Sequence, residues 1–254
     1  MSDLEYSDVS LRMTDEELPS VSVLIPCWRR RKFIPLMIAN IVGQDYPREK
    51  IELCILQDGD QDLFLNKERY DMFKNSIGVK LNYVYEPNVR RTIGEKRNML
   101  VKMATHKICA MMDSDDIYLP SYLRYSVNAM KQYNANITSS ASMLFVYPKL
   151  DFKMTGIRCN YKHQCHEACC VFKKKFFRGM GGFTKSSQGE GVKLFQGTNQ
   201  DKIINLDITK LMVCVAHEGE QGNTIDKNQF GDNTLDCKFQ DTIYKQILID
   251  ISKV

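Results

Sequence analysis

Short apolar runs alternate with apolar residues at helical spacing along the first half of the chain. The runs predict buried strands at residues 21–25, 51–56, 79–85 and 107–112. The helical spacing predicts helices over residues 33–44, 92–104 and 120–133. Pro26 should end the first strand, because proline cannot donate a hydrogen bond to a central ladder. Strands that alternate with helices predict an α/β fold with a central, mostly parallel sheet flanked by helices.

The pattern is less regular at the start of the chain and in its second half. Residues 1–20 hold several acidic side chains and few large apolar ones, so they are expected to form a flexible leader before a domain of residues 21–254. Residues 137–147 predict one longer β segment, and the glycines between positions 179 and 197 mark loops. In such a fold the ligand site is expected at the carboxyl ends of the strands.

Composition narrows the class of protein. The chain has 254 residues, of which 43% are hydrophobic, and Lys+Arg 35 against Asp+Glu 31 leaves a net charge of +4. That excess is small for a dedicated nucleic-acid-binding protein. No apolar stretch approaches the roughly 18 residues of a membrane span, and the acidic start is unlike a signal peptide. Nine scattered cysteines, an odd number, favour reduced thiols, so the sequence predicts a soluble cytoplasmic protein.

Three carboxylates follow the fourth predicted strand, at Asp113, Asp115 and Asp116. Clustered carboxylates suit Mg²⁺ or Mn²⁺, which completes its coordination with water and substrate phosphates. The cluster therefore predicts a metal site and a diphosphate substrate. The alternatives are a solvated turn, or a helix at Pro120 that is capped by Asp115 or Asp116.

Three further features point to a nucleotide. Trp28, beside Arg29 and Arg30 at the end of the first strand, could stack on a base, or it could be a partly buried packing residue. A glycine at a predicted helix start with Arg97 one turn later favours an anion site, although Gly94 also suits a tight turn. The carboxylate at the end of the second strand, Asp58, could accept from a base or a ribose hydroxyl, or serve turn chemistry alone.

The order of these motifs resembles the nucleotide-sugar glycosyltransferases of family 2, which have the GT-A fold. The matching stretches lie within residues 21–120 and are 25–30, 44–47 with 51–59, 94–98 and 113–116. The resemblance implies that Trp28 stacks on the base, Asp58 contacts base or ribose, and Arg97 lies near the sugar or diphosphate. It also implies that Asp113 and Asp115 are the family's DxD pair, with Asp115 the direct metal ligand. The implied donor-binding set is completed by Pro26, Arg30, Gly94 and Ser114. The base edge is expected to be read differently because Gln57 replaces the family's common acidic residue.

The second half resembles the family less closely. Residues 179–183 resemble its Gly-Gly-Phe loop, and Glu190 falls at its Glu-Asp pair, where Gly191 replaces the Asp that usually acts as base. The base is therefore assigned to Glu190, with Asp201 as the fallback. The alternative is that Glu190 only caps the short helix that follows it. His217, at the end of an apolar strand, resembles a third metal ligand found in part of the family, and the alternative is a hydrogen-bonded structural histidine.

A cluster of histidines and cysteines at residues 163–170 has spacing that suggests zinc, but no second pair stands at a usual interval. Buried thiols are the favoured interpretation of this segment, since free cysteine behaves as a small hydrophobe.

Together the motifs predict a Mn²⁺- or Mg²⁺-dependent enzyme that moves a sugar from a nucleoside diphosphate sugar, favoured to be a UDP-sugar, to a hydroxyl of an unknown glycan or protein, with inversion. Residues 21–120 would form the nucleotide and metal half and residues 121–254 the acceptor half. The alternative is a non-catalytic nucleotide- or cation-binding module of the same fold. The amino-acid usage is similar to that of glycosyltransferases encoded by giant DNA viruses, which would place the protein in a host cytoplasm.

Overall fold

The computed structural model describes residues 5–159, 164–198, 202–217 and 234–253. The predicted α/β architecture is confirmed, with the first four strands and the predicted helices at their expected places in the chain. The strands are β1 Val21–Trp28, β2 Ile51–Gly59, β3 Lys80–Pro87, β4 Ile108–Met111, β5 Ile117–Tyr118, β6 Ile137–Ser139, β7 Ser142–Tyr147, β8 Lys153–Arg158, β9 Val171–Lys173, β10 Ile203–Asn205, β11 Met212–Val215 and β12 Thr234–Lys238. The helices are α1 Ile34–Val42, α2 Lys67–Ile77, α3 Ile93–Met103, α4 Tyr122–Gln132, α5 Lys174–Gly179, α6 Val192–Gln196 and α7 Thr242–Ser252.

The larger sheet has the strand order β10-β6-β9-β4-β1-β2-β3. Its β1 strand pairs in parallel with β2 and β4, whereas β9 runs antiparallel between β4 and β6. Alternate side chains of β1 enter different cores: Val23 and Ile25 pack with α1, α2 and α4, and Leu24 packs with α3. Helices therefore cover both faces, as expected for parallel strands.

The first strand does not end at Pro26, so that prediction is wrong. β1 continues to Trp28, and Pro26 pairs with Leu56 of β2. On the other side of β1, the pairing with β4 stops at Leu24. Pro26 lies beyond that ladder, where the missing N–H costs no hydrogen bond.

Two features of the fold were not anticipated from sequence. The predicted β segment at 137–147 divides into β6, in the larger sheet, and β7, in a second sheet of order β12-β8-β7-β11-β5. The small residues Ser140 and Ala141 between them let the chain leave one sheet for the other, and Ala141 N–H donates to Asn205 Oδ1 at 2.9 Å. Helix α2, whose N-cap Asn66 accepts from Arg69 N–H, was also missed, because few apolar residues mark it.

The second sheet and α7 share a core with α1, which brings β5 and β11 to the same edge of the molecule as β1 and β4. Phe33 and Leu36 pack there with Val213 and Leu248. The end of β11 carries His217 to that edge.

The described part of the leader, residues 5–20, lies against the domain. Val9, Met13 and Leu18 are buried in the same core as α4. The N–H groups of Ser10 and Leu11 both donate to Gln132 at the end of α4. Sequence analysis did not anticipate this contact, because isolated apolar residues in an acidic segment carry no periodic signal.

Among the helices that the structure describes, none is both long and apolar enough to cross a bilayer.

Candidate functional site

The candidate site lies where β1, β2 and β4 end. Trp28 ends β1, Asp58 lies at the end of β2, and Asp113 follows β4 after one residue. Carboxyl ends of parallel strands meet at one edge of a sheet, so the topology brings these residues together. Helix α3 crosses this edge and adds Lys96 and Arg97.

Asp58 is fully buried and holds a network of cations. Its Oδ1 lies 2.8 Å from Lys96 Nζ, and its Oδ2 accepts from Arg91 N–H at 2.7 Å. Arg90 Nη1 lies 3.6 Å from the same Oδ2. Burial lowers the pKa of Lys96, and the charge of Asp58 opposes that effect. Asp58 thereby fixes the start of α3 and the segment before it.

Trp28 is partly exposed and is covered on one face by a guanidinium. Arg90 lies over the indole at 3.5 Å from the ring centroid, and Arg29 is at 5.4 Å. An indole that is stacked on a cation through one face can still accept a planar group, such as a base, on its other face. A base that stacks on Trp28 uses the opposite face or displaces Arg90.

Gly94 is required by close packing. A side chain at this position would overlap the Thr184 carbonyl oxygen, and Gly94 N–H donates to Ser186 O at 2.9 Å. The amide that sequence analysis expected to face an anion thus anchors the loop over residues 184–190 to α3. Thr92 and Glu95 form a reciprocal capping box that begins the helix.

Arg97 is buried among three carboxylates. Its Nη2 donates to Asp113 Oδ1 at 3.0 Å, and its Nε lies 3.3 Å from Glu190 Oε1. The charge of Glu167 also acts on it. Arg97 is 4% exposed, and its Nη1 has no hydrogen-bond partner among the described residues.

Burial raises the pKa of both carboxyls that touch Arg97. The pKa of Asp113 rises to about 6, because desolvation and neighbouring carboxylates outweigh the attraction of Arg97. Desolvation likewise raises the pKa of Glu190, with Arg97 opposing it and Glu167 adding to it. Raised carboxyl pKa values in a cleft are typical of acid–base sites.

Asp115 and His217 form a second charged group beside Arg97's cluster. His217 Nε2 lies 2.8 Å from Asp115 Oδ2, and Arg30 Nη2 lies 3.1 Å from the same oxygen. His217 packs against Phe33, and its Nδ1 is buried without a hydrogen-bond partner in the described structure.

These donors fit a divalent cation that is shared with a ligand. Within the described ranges, no three His, Cys, Asp or Glu side chains are grouped to hold a metal by themselves. A carboxylate and an imidazole with an unpartnered nitrogen supply two donors of the kind that Mn²⁺ accepts, and phosphate oxygens and water complete such a shell.

The remaining predicted residues have structural contacts or lie elsewhere. Ser114 is buried, with its hydroxyl 3.5 Å from the Pro26 carbonyl. Asp116, the third carboxylate of the cluster, accepts from Val215 N–H at 2.8 Å and so ties the cluster to β11. Asp201 lies outside the described residues.

The cysteine segment packs as buried thiols. Cys165, Cys169 and Cys170 are buried, and His163 lies outside the described residues. Burial raises the pKa of Cys169 to about 11, which keeps the thiol protonated and inert.

Sequence reasoning missed Lys96, Arg90 and Glu167. A lysine within a helix is usually exposed, so nothing local marked Lys96 as buried. Arg90 and Glu167 reach the site from loops, and their partners are 62 and 24 residues away in the chain.

Comparisons with known proteins identify the family and the fold. The profile of the family described as "Glycosyl transferase family 2" matches residues 22–179. The chain is 27% identical over 125 residues to the "Cellulose synthase catalytic subunit [UDP-forming]" of Pseudomonas fluorescens, a match that covers 49% of this chain and 16% of that protein. The chain spans less than half the length of the curated relatives it matches.

Solved structures match over most of the chain. Staphylococcus aureus TarS 1-349 in complex with UDP-GlcNAc superposes with a TM-score of 0.62 at 17% identity, covering 91% of this chain and 66% of that chain. The mannosyltransferase PcManGT from Pyrobaculum calidifontis, in complex with GDP-Man and Mn²⁺, gives 0.60 at 18%, covering 98% and 72%. At these identities the matches establish the fold.

Proposed function

The chain belongs to glycosyl transferase family 2 and has its GT-A fold, and from that premise we propose that it transfers a sugar from a nucleoside diphosphate sugar to an acceptor hydroxyl, with inversion and with a divalent cation. The observation that carries the proposal is a pair of buried nitrogens without partners, Arg97 Nη1 and His217 Nδ1. Buried donors and acceptors are normally satisfied, so unsatisfied ones at a strand edge mark the place of a ligand.

The donor is proposed to lie along the carboxyl ends of β1, β2 and β4. Trp28 stacks on the base, and Arg30 and Arg97 face the charged diphosphate and the sugar. A UDP-sugar is the favoured donor, because relatives are described as UDP-forming or were solved with UDP-GlcNAc. GDP-mannose, present with PcManGT, is the competing donor.

Asp115 and His217, with Asp113 nearby, are the residues proposed to hold Mn²⁺ or Mg²⁺. When bound, the cation supplies charge that stabilises the leaving diphosphate. The chain's own contribution is orientation: Arg30 holds Asp115, Phe33 supports His217, and Asp116 fixes the loop between β4 and β5.

Inversion needs a carboxylate that takes the proton of the acceptor hydroxyl as the new bond forms. The carboxylates around Arg97 are the candidates for removing this proton. Sequence analysis assigned that role to Glu190, with Asp201 as the fallback. Burial raises the pKa of Glu190, which suits proton transfer, although its carboxylate is paired with Arg97.

A panel of UDP-glucose, UDP-GlcNAc and GDP-mannose, each with and without Mn²⁺, tests this function. One donor should raise the thermal unfolding midpoint in a Mn²⁺-dependent manner, because a ligand that binds the folded state stabilises it. Slow release of the nucleoside diphosphate should accompany binding. Donor binding without release of nucleoside diphosphate, at any enzyme concentration, would favour the non-catalytic binding module. If no donor binds, both the enzyme and the binding module are contradicted.

Trp28→Ala should weaken binding of UDP by about 1–3 kcal/mol, or about 5- to 150-fold in Kd, the range for base–aromatic stacking. Isothermal titration of UDP with Mn²⁺ measures this loss. Trp28→Phe is the matched control, since it retains an aromatic face for the base and for Arg90 and should lose less. Equal affinities of Trp28→Ala and wild type would make Trp28 a packing residue.

A further inference from the structure

Glu167 is held at the edge of the Arg97 cluster by one backbone hydrogen bond. Gly191 N–H donates to Glu167 Oε1 at 2.8 Å. The segment is tied to the strand end that carries Asp113, because the Tyr118 hydroxyl accepts from Asp113 N–H and donates to the Ala168 carbonyl. The Glu167 carboxylate therefore has a defined place beside Arg97 and Glu190.

Gly191 leaves room for the Glu167 side chain. Its backbone angles, φ −89° and ψ −11°, are ordinary right-handed values that any residue adopts. A Cβ at this position would lie 2.7 Å from Glu167 Oε1, and closer still to the Glu167 Cγ. Space for Glu167, rather than backbone conformation, is what glycine provides at position 191.

The two glutamates differ in access. Glu190 is 6% exposed on its side chain and is paired with Arg97. Glu167 is half-buried, and its Oε2 has no hydrogen-bond partner among the described residues. A general base must first reach the proton that it removes, so access ranks before proton affinity.

We propose that Glu167 is the general base of the transfer reaction and that Glu190 is the counter-ion that positions Arg97. This rests on the proposed function. The acceptor oxygen forms a bond to the anomeric carbon of the sugar while the bond from that carbon to the diphosphate oxygen breaks. The diphosphate leaves with the electron pair, and the hydroxyl proton passes to Glu167 Oε2.

Donor hydrolysis tests the assignment without knowledge of the acceptor, since water then supplies the hydroxyl. Glu167→Gln, which retains the acceptor for Gly191 N–H, should lower kcat for nucleoside diphosphate release about 10²–10⁴-fold, with donor Kd within twofold of wild type. Glu49→Gln, an exposed carboxylate far along the chain, is the matched control and should leave kcat unchanged.

One readout separates a base from a merely structural residue. Azide ion attacks carbon without losing a proton, so it should restore turnover in Glu167→Gln and form the glycosyl azide. Loss of turnover that azide does not restore would overturn the assignment.

Moving the carboxylate gives an independent test. Glu167→Ala/Gly191→Asp places a carboxylate in the space that Glu167 vacates, on a backbone that tolerates a side chain. Its kcat should be at least tenfold higher than that of Glu167→Ala. The kcat of Glu167→Ala/Gly191→Asn should equal that of Glu167→Ala. Equal activity of the two double variants would overturn the proposal.

Failure of this assignment and failure of the proposed function are distinguishable. If wild type binds and hydrolyses a donor and Glu167→Gln does so at the wild-type rate, Glu167 is not the base and the function stands. A large loss confined to Glu190→Gln would return the role to Glu190. If wild type neither binds nor hydrolyses any donor of the panel, the proposed function itself is wrong.

Discussion

Asp115→Asn is expected to lower Mn²⁺-dependent release of nucleoside diphosphate about 10³-fold, because charge stabilisation by a bound cation contributes several kcal/mol and each 1.36 kcal/mol is tenfold in rate. The amide keeps the size of the side chain but loses the charge that faces His217 and Arg30. The variant should fold, since removing one of three clustered carboxylates also relieves repulsion. The measurement is the release rate as a function of Mn²⁺ concentration, with thermal unfolding of the ligand-free chain as the folding check.

Asp60→Asn is the matched control for this experiment. Asp60 also pairs with an arginine, Arg29, but its side chain is 51% exposed, against 13% for that of Asp115. It should keep the wild-type Mn²⁺ dependence. An unchanged Mn²⁺ response in Asp115→Asn would remove Asp115 from the metal site.

Arg97→Met should destabilise the fold by about 3–5 kcal/mol at pH 7.5, the cost of leaving buried charges without their partner. Asp113 and Glu190 both face Arg97, which is 4% exposed. The Glu190 side chain is 6% exposed and has little access to water, whereas that of Asp113 is 25% exposed. Chemical denaturation measures the loss. Arg97→Lys, which retains a charge but not the planar set of donors, should lose less.

The loss in Arg97→Met should depend on pH. Burial already raises the pKa of Glu190 above its value of 4.5 in the unfolded chain, and removal of Arg97 raises it further. A carboxyl that binds its proton more tightly in the folded state destabilises the fold above its folded pKa, and this penalty falls as the pH falls toward 4.5. The loss of unfolding free energy relative to wild type should therefore be smaller at pH 5 than at pH 7.5. At every pH it should also be smaller in Arg97→Met/Glu190→Gln than in Arg97→Met. A loss of unfolding free energy that does not change with pH would mean that Arg97 stabilises the fold by packing and not by its charge.

The features predicted well from sequence were local in the chain. The strand ends that carry Trp28 and Asp113 follow from an apolar run that meets polar residues, and α3 follows from apolar residues at helical spacing between positions 92 and 104. The order of these elements was enough to predict the α/β fold and the sheet edge at which the candidate site lies. Predicted strand ends were wrong where pairing with a neighbouring strand determines the end, as at Pro26.

The features not predicted depend on contacts between distant segments. Asp58 shows no sign in sequence that Lys96, 38 residues later, is its partner. Glu167 stands in a segment that is marked in sequence by its cysteines and histidines, and its hydrogen-bond partner, Gly191, is 24 residues later in the chain. The second sheet was missed because its strands are short and come from separated parts of the chain.

The position of β9 between β4 and β6 has a consequence for synthesis of the chain. When the first 120 residues have left the ribosome, β4 can pair with β1, and β2 and β3 can complete that side of the sheet. The outer edge of β4 stays open until β9, about 60 residues after Met111, has been made. At about 5–20 residues per second that interval lasts on the order of 3–12 s. An unpaired strand edge attracts other strands. The nascent chain is thus most vulnerable to aggregation during those seconds, and the strand that ends this exposure is the one that follows Glu167.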